Sequence, residues 1–166
     1  MVMVTDAANI KSVPRGLFQQ VVVFKLDDFK YALALSFVRK IVRSVEITPL
    51  PQAPPIVLGA INVRGEIIPV VNVRRRFRLP EREVGLKDHF IIASTSRQKV
   101  ALVVDTTLGV FDCPEEKTVA AGQICPQLDY VEGVMRAEDG LILIHDLEAF
   151  LSLEEDQVLQ DALAPI

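Results

Sequence analysis

A thirteen-residue pattern of this chain recurs without a gap. With KYALALSFVRKIV (30–42) set over KVALVVDTTLGVF (99–111), Lys30 falls on Lys99, Ala32 on Ala101, Leu33 on Leu102, Leu35 on Val104 and Ile41 on Val110, each 69 residues further on. The same step carries VVVF (21–24) onto FIIA (90–93). A looser pair follows, GAINVRGEIIPVVNV (59–73) and EGVMRAEDGLILIHDL (132–147). Each is an apolar strand, a tight turn at Gly65 or Gly140, and a second apolar strand. Repetition of this kind marks a duplicated unit, and each copy offers about five short strands. Five short, curved strands suit a small barrel, which leaves few open edges.

The local patterns agree with a β-rich chain. FQQVVVFKL (18–26) and FKYALALSF (29–37) flank Asp27-Asp28, a plausible hairpin turn. IVRSVEITPL (41–50) alternates Val42, Val45 and Ile47 with polar partners and stops at Pro49 and Pro51. Residues 1–16 read as a loose tail, 17–151 as the folded domain with subdomains at about 17–85 and 86–151, and 152–166 as a C-terminal helix and tail. Asp146 is a candidate cap for LEAFL, and Ser152 with Glu155 spells a capping box ahead of Val158, Leu159, Ala162 and Leu163.

At 166 residues the chain fits one domain or two small units sharing a core. No apolar run approaches the roughly 20 residues of a membrane helix, and no secretory signal is visible, so a cytoplasmic protein is expected. The net charge of −4 argues against a dedicated nucleic-acid binder. The one basic cluster, Arg74 to Arg78 and then Arg82, reads as solvated surface. Cys113 and Cys125 each precede a proline and read as plain buried thiols. His89 and His145 stand in no metal-ligand spacing, so neither a metal nor a cofactor is expected.

An enzyme needs a nucleophile, a base or a metal in a cleft. The sequence has no G-x-S-x-G elbow, no H-E-x-x-H and no glycine-rich phosphate loop. Its adjacent carboxylates (Asp27/Asp28, Glu115/Glu116, Glu154/Glu155) fall in turns or helix starts, where water solvates them. A non-catalytic binding module is the expectation. Arg64 then becomes the informative residue. It precedes Gly65 at a strand-to-strand turn, with Val38, Val42, Ile61 and Val63 expected near the same barrel end, and arginine beside apolar surface is a frequent interface composition.

The stretch LGAINVRGEIIPVVNVRRRF resembles the signature of the bacterial chemotaxis coupling protein family, CheW, with its Gly…Asn-x-Arg-Gly-x-Ile-x-Pro-x-x-Asp-x-Arg…Phe pattern. VALVVDTTLGV (100–110) and YVEGVMRAEDGLILIHDLEAFL (130–151) are similar to the family's later strands, so the resemblance runs from about Phe18 to Leu151. It implies an all-β fold of two intertwined five-stranded SH3-like barrels with a C-terminal helix. It also implies an adaptor that couples the cytoplasmic tip of chemoreceptors to the regulatory domain of the histidine kinase CheA. Such a protein is cytoplasmic and recruited to receptor arrays, without membrane insertion, nucleic acid or cofactor. Carried over by motif, a receptor-binding groove falls on Val38, Lys40, Arg64, Ala101 and Thr107. A kinase contact falls in DCPEEKTVAAGQICP (112–126), with Asp112, Glu115 and Lys117 as its candidates.

Three positions depart from the family pattern. Lys40 replaces a common acidic residue that pairs with the arginine matching Arg64, so both cations are expected to favour an external carboxylate. Ala34 and Asn72 each replace a frequent aspartate. Three alternatives stay open at this level: a regulatory-domain fragment of a CheA-type kinase, a small nucleic-acid-binding barrel using the arginine cluster, and an enzyme of unrecognised type, for which the sequence offers no nucleophile or metal constellation.

Overall fold

The run QVVVFKL forms β1 (Gln20–Leu26), which turns back through Asp27 and Asp28 into β2 (Phe29–Ala34). Asp27 takes φ 55°, a left-handed conformation that aspartate tolerates better than most residues. The register sets Phe24 opposite Tyr31, with their rings stacked 5.9 Å apart. Val21, Val22, Val23 and Phe24 are all buried, so both faces of β1 are covered. That double burial accounts for an unbroken apolar run, where a half-exposed strand would alternate. A computed structural model describes residues 20–120 and 130–163.

The other strands follow in chain order: β3 (Val38–Arg43), β4 (Val57–Val63), β5 (Glu66–Val71), β6 (His89–Ser94), β7 (Lys99–Val104), β8 (Thr106–Asp112), β9 (Thr118–Ala120), β10 (Val131–Ala137) and β11 (Gly140–His145). A single turn of helix, α1 (Val73–Arg76), follows β5, and α2 (Leu153–Leu163) ends the described chain. The strand expected over 29–37 stops at Ala34, because Leu35–Phe37 makes a 3₁₀ turn. The strand expected over 41–50 instead runs from Val38 to Arg43.

The chain divides into two compact units. One draws on residues up to Leu35 and on Leu108–Asp146; the other draws on Ser36–Thr107 and the chain from Leu147 onward. The first contains a six-stranded sheet in the order β8-β1-β2-β11-β10-β9. Its core includes Val21, Val23, Ala32, Met135, Ile142, Ile144 and the buried Cys113. The second contains a five-stranded sheet in the order β3-β6-β7-β5-β4, packed around Ile61, Ile68, Val70, Phe90, Ile92 and Ala101.

This organisation corrects the division into contiguous halves at about 17–85 and 86–151. In the first unit, β1 gives its outer edge to β8, and β2 pairs in parallel with β11, Leu143 opposite Tyr31. With both edges taken, β3 pairs instead with β6 of the second copy, Val42 opposite Phe90. Each unit thus takes two strands from one copy of the repeat and the rest from the other, which is the intertwining expected.

Each sheet then curls toward closure in the same way. After β3 the chain reaches Thr48, which exchanges two backbone hydrogen bonds with Ala60 of β4, at 2.9 and 2.8 Å. After β8 the chain makes β9, which pairs with β10 from Thr118–Met135 to Ala120–Gly133. This second closure is three residues long, so one sheet has a short sixth strand beyond the five expected. Gly59 makes the first closure possible. It has φ 151°, and a Cβ there would overlap the Thr48 carbonyl and stand 2.8 Å from Ile47 Cγ2.

The capping box expected ahead of the C-terminal helix forms. The Glu155 N–H donates to Ser152 Oγ and the Ser152 N–H donates to Glu155 Oε1, both at 3.0 Å, which is the reciprocal capping box. Glu155 also receives Arg76 Nη2 at 2.6 Å, and the Arg76 guanidinium lies 5.8 Å from the Phe150 ring. Gln98 donates to Asp156, and Leu159 is fully buried, so one face of α2 is anchored within the second unit. The 1–16 tail, Cys125 and the end of the 112–126 stretch lie outside the described residues. Among the described residues, no helix is long and apolar enough to cross a membrane.

Candidate functional site

Val63 stands opposite Glu66 in the β4–β5 register, leaving Arg64 and Gly65 as a two-residue turn. Both have positive φ, 53° and 88°, the signature of a type I′ hairpin. The Gly65 N–H donates to Asn62 Oδ1 at 2.8 Å, which fixes the turn from the strand before it. Arg64 is therefore a bulky residue in a conformation that favours glycine, exposed at the hairpin tip. Beside it, Lys99 Nζ pairs with Glu66 at 3.1 Å. The repeat preserves this device, since Lys30 Nζ meets Asp139 at 2.5 Å beside the β10–β11 turn. The hydrogen bond from Lys30 holds the Asp139 carboxyl below the usual carboxylate range. Gly140, at φ 138°, opens β11 directly after that turn.

The five residues expected to form the receptor-binding groove all fall in the second unit, but they do not gather at one place. Val38 is half-buried and Lys40 exposed, both on β3. Arg39, between them, donates from Nε to Ser94 Oγ at 2.9 Å, so this part of β3 lies at the Ser94 end of β6. The Lys99 end of β7 is there too, since Lys99 pairs with Ser94 in the ladder. Thr107 lies at the other end, where its N–H donates to His89 Nδ1 at 3.0 Å. His89 and Ser94 bound β6, so about 17 Å of strand separates them. Ala101 is corrected outright. It is 0 % exposed in the barrel core, between Ile92 and Val70 in the ladders, and its methyl group is closed to a partner.

The kinase candidates fall in the first unit. Asp112 is exposed at the end of β8 and accepts from Gln20 Nε2 at 3.5 Å. Glu115 and Lys117 are exposed in a 3₁₀ turn (Glu115–Lys117) held from below. There Thr118 Oγ1 donates to the Pro114 carbonyl at 2.8 Å and lies 3.2 Å from Cys113 Sγ.

The arginine cluster is solvated surface only in part: Arg75, Arg78 and Arg82 are exposed, and Arg74 is not. Arg74 is buried, makes a bidentate pair with Asp105 at 2.9 and 3.0 Å, and donates to the Pro80 carbonyl. Arg82 bridges Asp105 and the buried Asp88, and its hydrogen bonding to Asp88 pushes the guanidinium pKa upward. Asn72 is the N-cap of α1. Its Oδ1 accepts from the Arg75 N–H at 3.1 Å while its Nδ2 donates to Glu81. These bonds pin the connection between β5 and β6. Sequence reasoning also missed Arg39 and Arg43 as exposed cations beside Lys40 on β3; the signal was the run VRKIVR, where only Val38 and Val42 are half-buried.

The CheW-like domain family model matches residues 20–155. The chain belongs to the CheW-like domain family. A chemotaxis protein CheW of Treponema pallidum is 29% identical over 146 residues, covering 84% of this chain and 86% of that protein. The CheW of Bacillus subtilis is 28% identical, covering 84% and 90%. The crystal structure of the scaffolding protein TtCheW from Thermoanaerobacter tengcongensis superposes with a TM-score of 0.75 at 29% identity, covering 84% of this chain and 96% of that one. The all-β, two-sheet fold with a short C-terminal helix is thus the CheW fold.

Proposed function

We propose that this CheW-like protein is a non-catalytic adaptor that couples the cytoplasmic tips of chemoreceptors to the regulatory domain of the histidine kinase CheA. The observation that carries the reading is the family match over residues 20–155, reinforced by similarity to a solved scaffolding protein of the same family. An adaptor of this kind works by geometry. Two rigid surfaces hold two partners, and the free energy that one partner's state puts into the complex reaches the other reciprocally. Closed barrels with buried cores supply that rigidity.

The receptor-facing residues in this proposal are Val38, Lys40 and Arg64, with Thr107 in a secondary position at the far end of β6. The kinase-facing residues are Asp112, Glu115 and Lys117. Recruitment to receptor arrays on the cytoplasmic side follows from the same pairing. A pull-down of the purified protein against the kinase regulatory domain and the receptor tips encoded beside its gene tests the reading. Binding to both, with receptor binding lost in Arg64→Ala and kinase binding kept, is the expected result. Binding to neither overturns it.

A further inference from the structure

The β6–β7 ladder closes at Ser94 opposite Lys99, leaving a four-residue turn, Thr95 to Gln98. Its counterpart in the repeat closes at Leu26 opposite Phe29, around two residues only. The wider turn does not satisfy itself. The Thr95 N–H donates to the Gln98 carbonyl at 2.9 Å, and the Arg97 and Gln98 N–H groups donate to Thr95 Oγ1 at 3.1 and 3.0 Å. The Ser96 N–H finds its acceptor in the C-terminal segment, at Glu148 Oε2, while Ser96 Oγ donates to Glu148 Oε1, both at 2.8 Å. Asp156 takes the next two side chains, accepting from Gln98 Nε2 and pairing with Arg97 Nη1 at 3.4 Å. The segment that carries these acids is fixed by other means, since Leu147, Phe150 and Leu159 are buried and belong to the same unit as the turn.

The two residues that close the turn reach the other way. Ser94 Oγ accepts from Arg39 Nε at 2.9 Å, between Val38 and Lys40. Lys99 Nζ pairs with Glu66 at 3.1 Å, directly after the Arg64–Gly65 turn. We propose that Glu148 and Asp156 are positioning residues for receptor binding. They brace the β6–β7 turn from behind, so that Ser94 and Lys99 hold the Arg39 and Glu66 neighbourhoods in place before a partner arrives. The inference rests on the adaptor reading above and adds to it a part played by the C-terminal segment. Charge-assisted bonds to two backbone and side-chain donors of one residue suit this role, because they are stronger and more directional than neutral ones. A surface ordered in advance spends less of its binding free energy on ordering itself. The polar brace and the apolar anchors fall on different side chains, so the brace can be removed while the segment stays docked.

The test measures affinity for the cytoplasmic tip fragment of the receptor encoded beside the gene, by titration calorimetry, and amide exchange at Gly65 in the adaptor alone. The proteins are wild type, Glu148→Ala and the conservative Glu148→Gln, which keeps one acceptor for Ser96. Each is first shown by circular dichroism to be folded, and Ser96→Ala takes the place of Glu148→Ala if that variant is not. Glu148→Ala is expected to bind the tip about threefold to tenfold more weakly, and Glu148→Gln to recover part of the loss. The Gly65 amide, whose acceptor is Asn62 and not the C-terminal segment, is expected to exchange about threefold faster in Glu148→Ala. Kinase-domain binding is expected to stay unchanged. Equal tip binding by wild type and Glu148→Ala overturns this inference alone. Weaker tip binding with Gly65 exchange unaltered also overturns it, since Glu148 then acts without moving the receptor-facing turn. An equal loss of kinase-domain binding overturns it in favour of general destabilisation. A tip that fails to bind wild type overturns the adaptor reading and this inference with it.

Discussion

Arg64 occupies backbone conformation that costs a side-chain-bearing residue roughly 1 kcal/mol. Glycine would hold the same turn without that cost, so Arg64→Gly is expected to melt no lower than wild type. Receptor-tip binding, read by pull-down, is expected to drop about tenfold or more, which separates use from stability at one residue. Arg74 presents the reverse case. Replacing it with alanine leaves Asp105 half-compensated and the Pro80 carbonyl without its donor, at an expected cost of about 3 kcal/mol in urea unfolding. The arginine motif was legible in the sequence and the roles of its members were not. Arg75, Arg74 and Arg76 find their acids 6, 31 and 79 residues away, and only the tertiary fold brings those together. Ala101 was misread for a related reason: a motif marks a position along the chain, while burial depends on what packs over it.

The closing contact at Thr48–Ala60 is where a small change has a large effect. Gly59→Ala forces a methyl group into the Thr48 carbonyl, so it is expected to destabilise the protein by at least about 2 kcal/mol, measured as a lower melting temperature with the β spectrum retained below it. Gly65 has open space around the Cβ position, and its substitution strains only the turn. The C-terminal helix carries a pH signature. Burial raises the Glu155 pKa, but the Ser152 N–H and the Arg76 guanidinium outweigh it and hold the carboxyl below its usual range. A depressed folded-state pKa stabilises above the unfolded value and is lost as pH falls through the folded value. Helix α2 is therefore expected to loosen below about pH 4.5, seen as faster amide exchange, and Glu155→Gln is expected to remove that pH dependence. The capping box was legible because it is a four-residue pattern. The closures were not, because one rests on a single bridge between residues twelve apart, beside Gly59, and the other on only three paired residues of β9 and β10.

Across the whole molecule, the repeat in the sequence disclosed two barrel-like units of about five strands each. It did not disclose which copy each strand joins. Equivalent strands have equivalent apolar patterns, so β3 would fit its own copy as well as the other by pattern alone. The choice is made by edges, since β1 and β2 already hold β8 and β11. The family match then connects this architecture to a scaffold whose output is assembly. The measurement that bears most directly on that claim is co-sedimentation of the cognate CheA-type kinase with receptor-bearing membranes, with and without this protein. The account predicts that the kinase pellets with the receptors only when the protein is added, and that Arg64→Ala reduces the recruited kinase. Equal kinase in the pellet with and without the protein would contradict it.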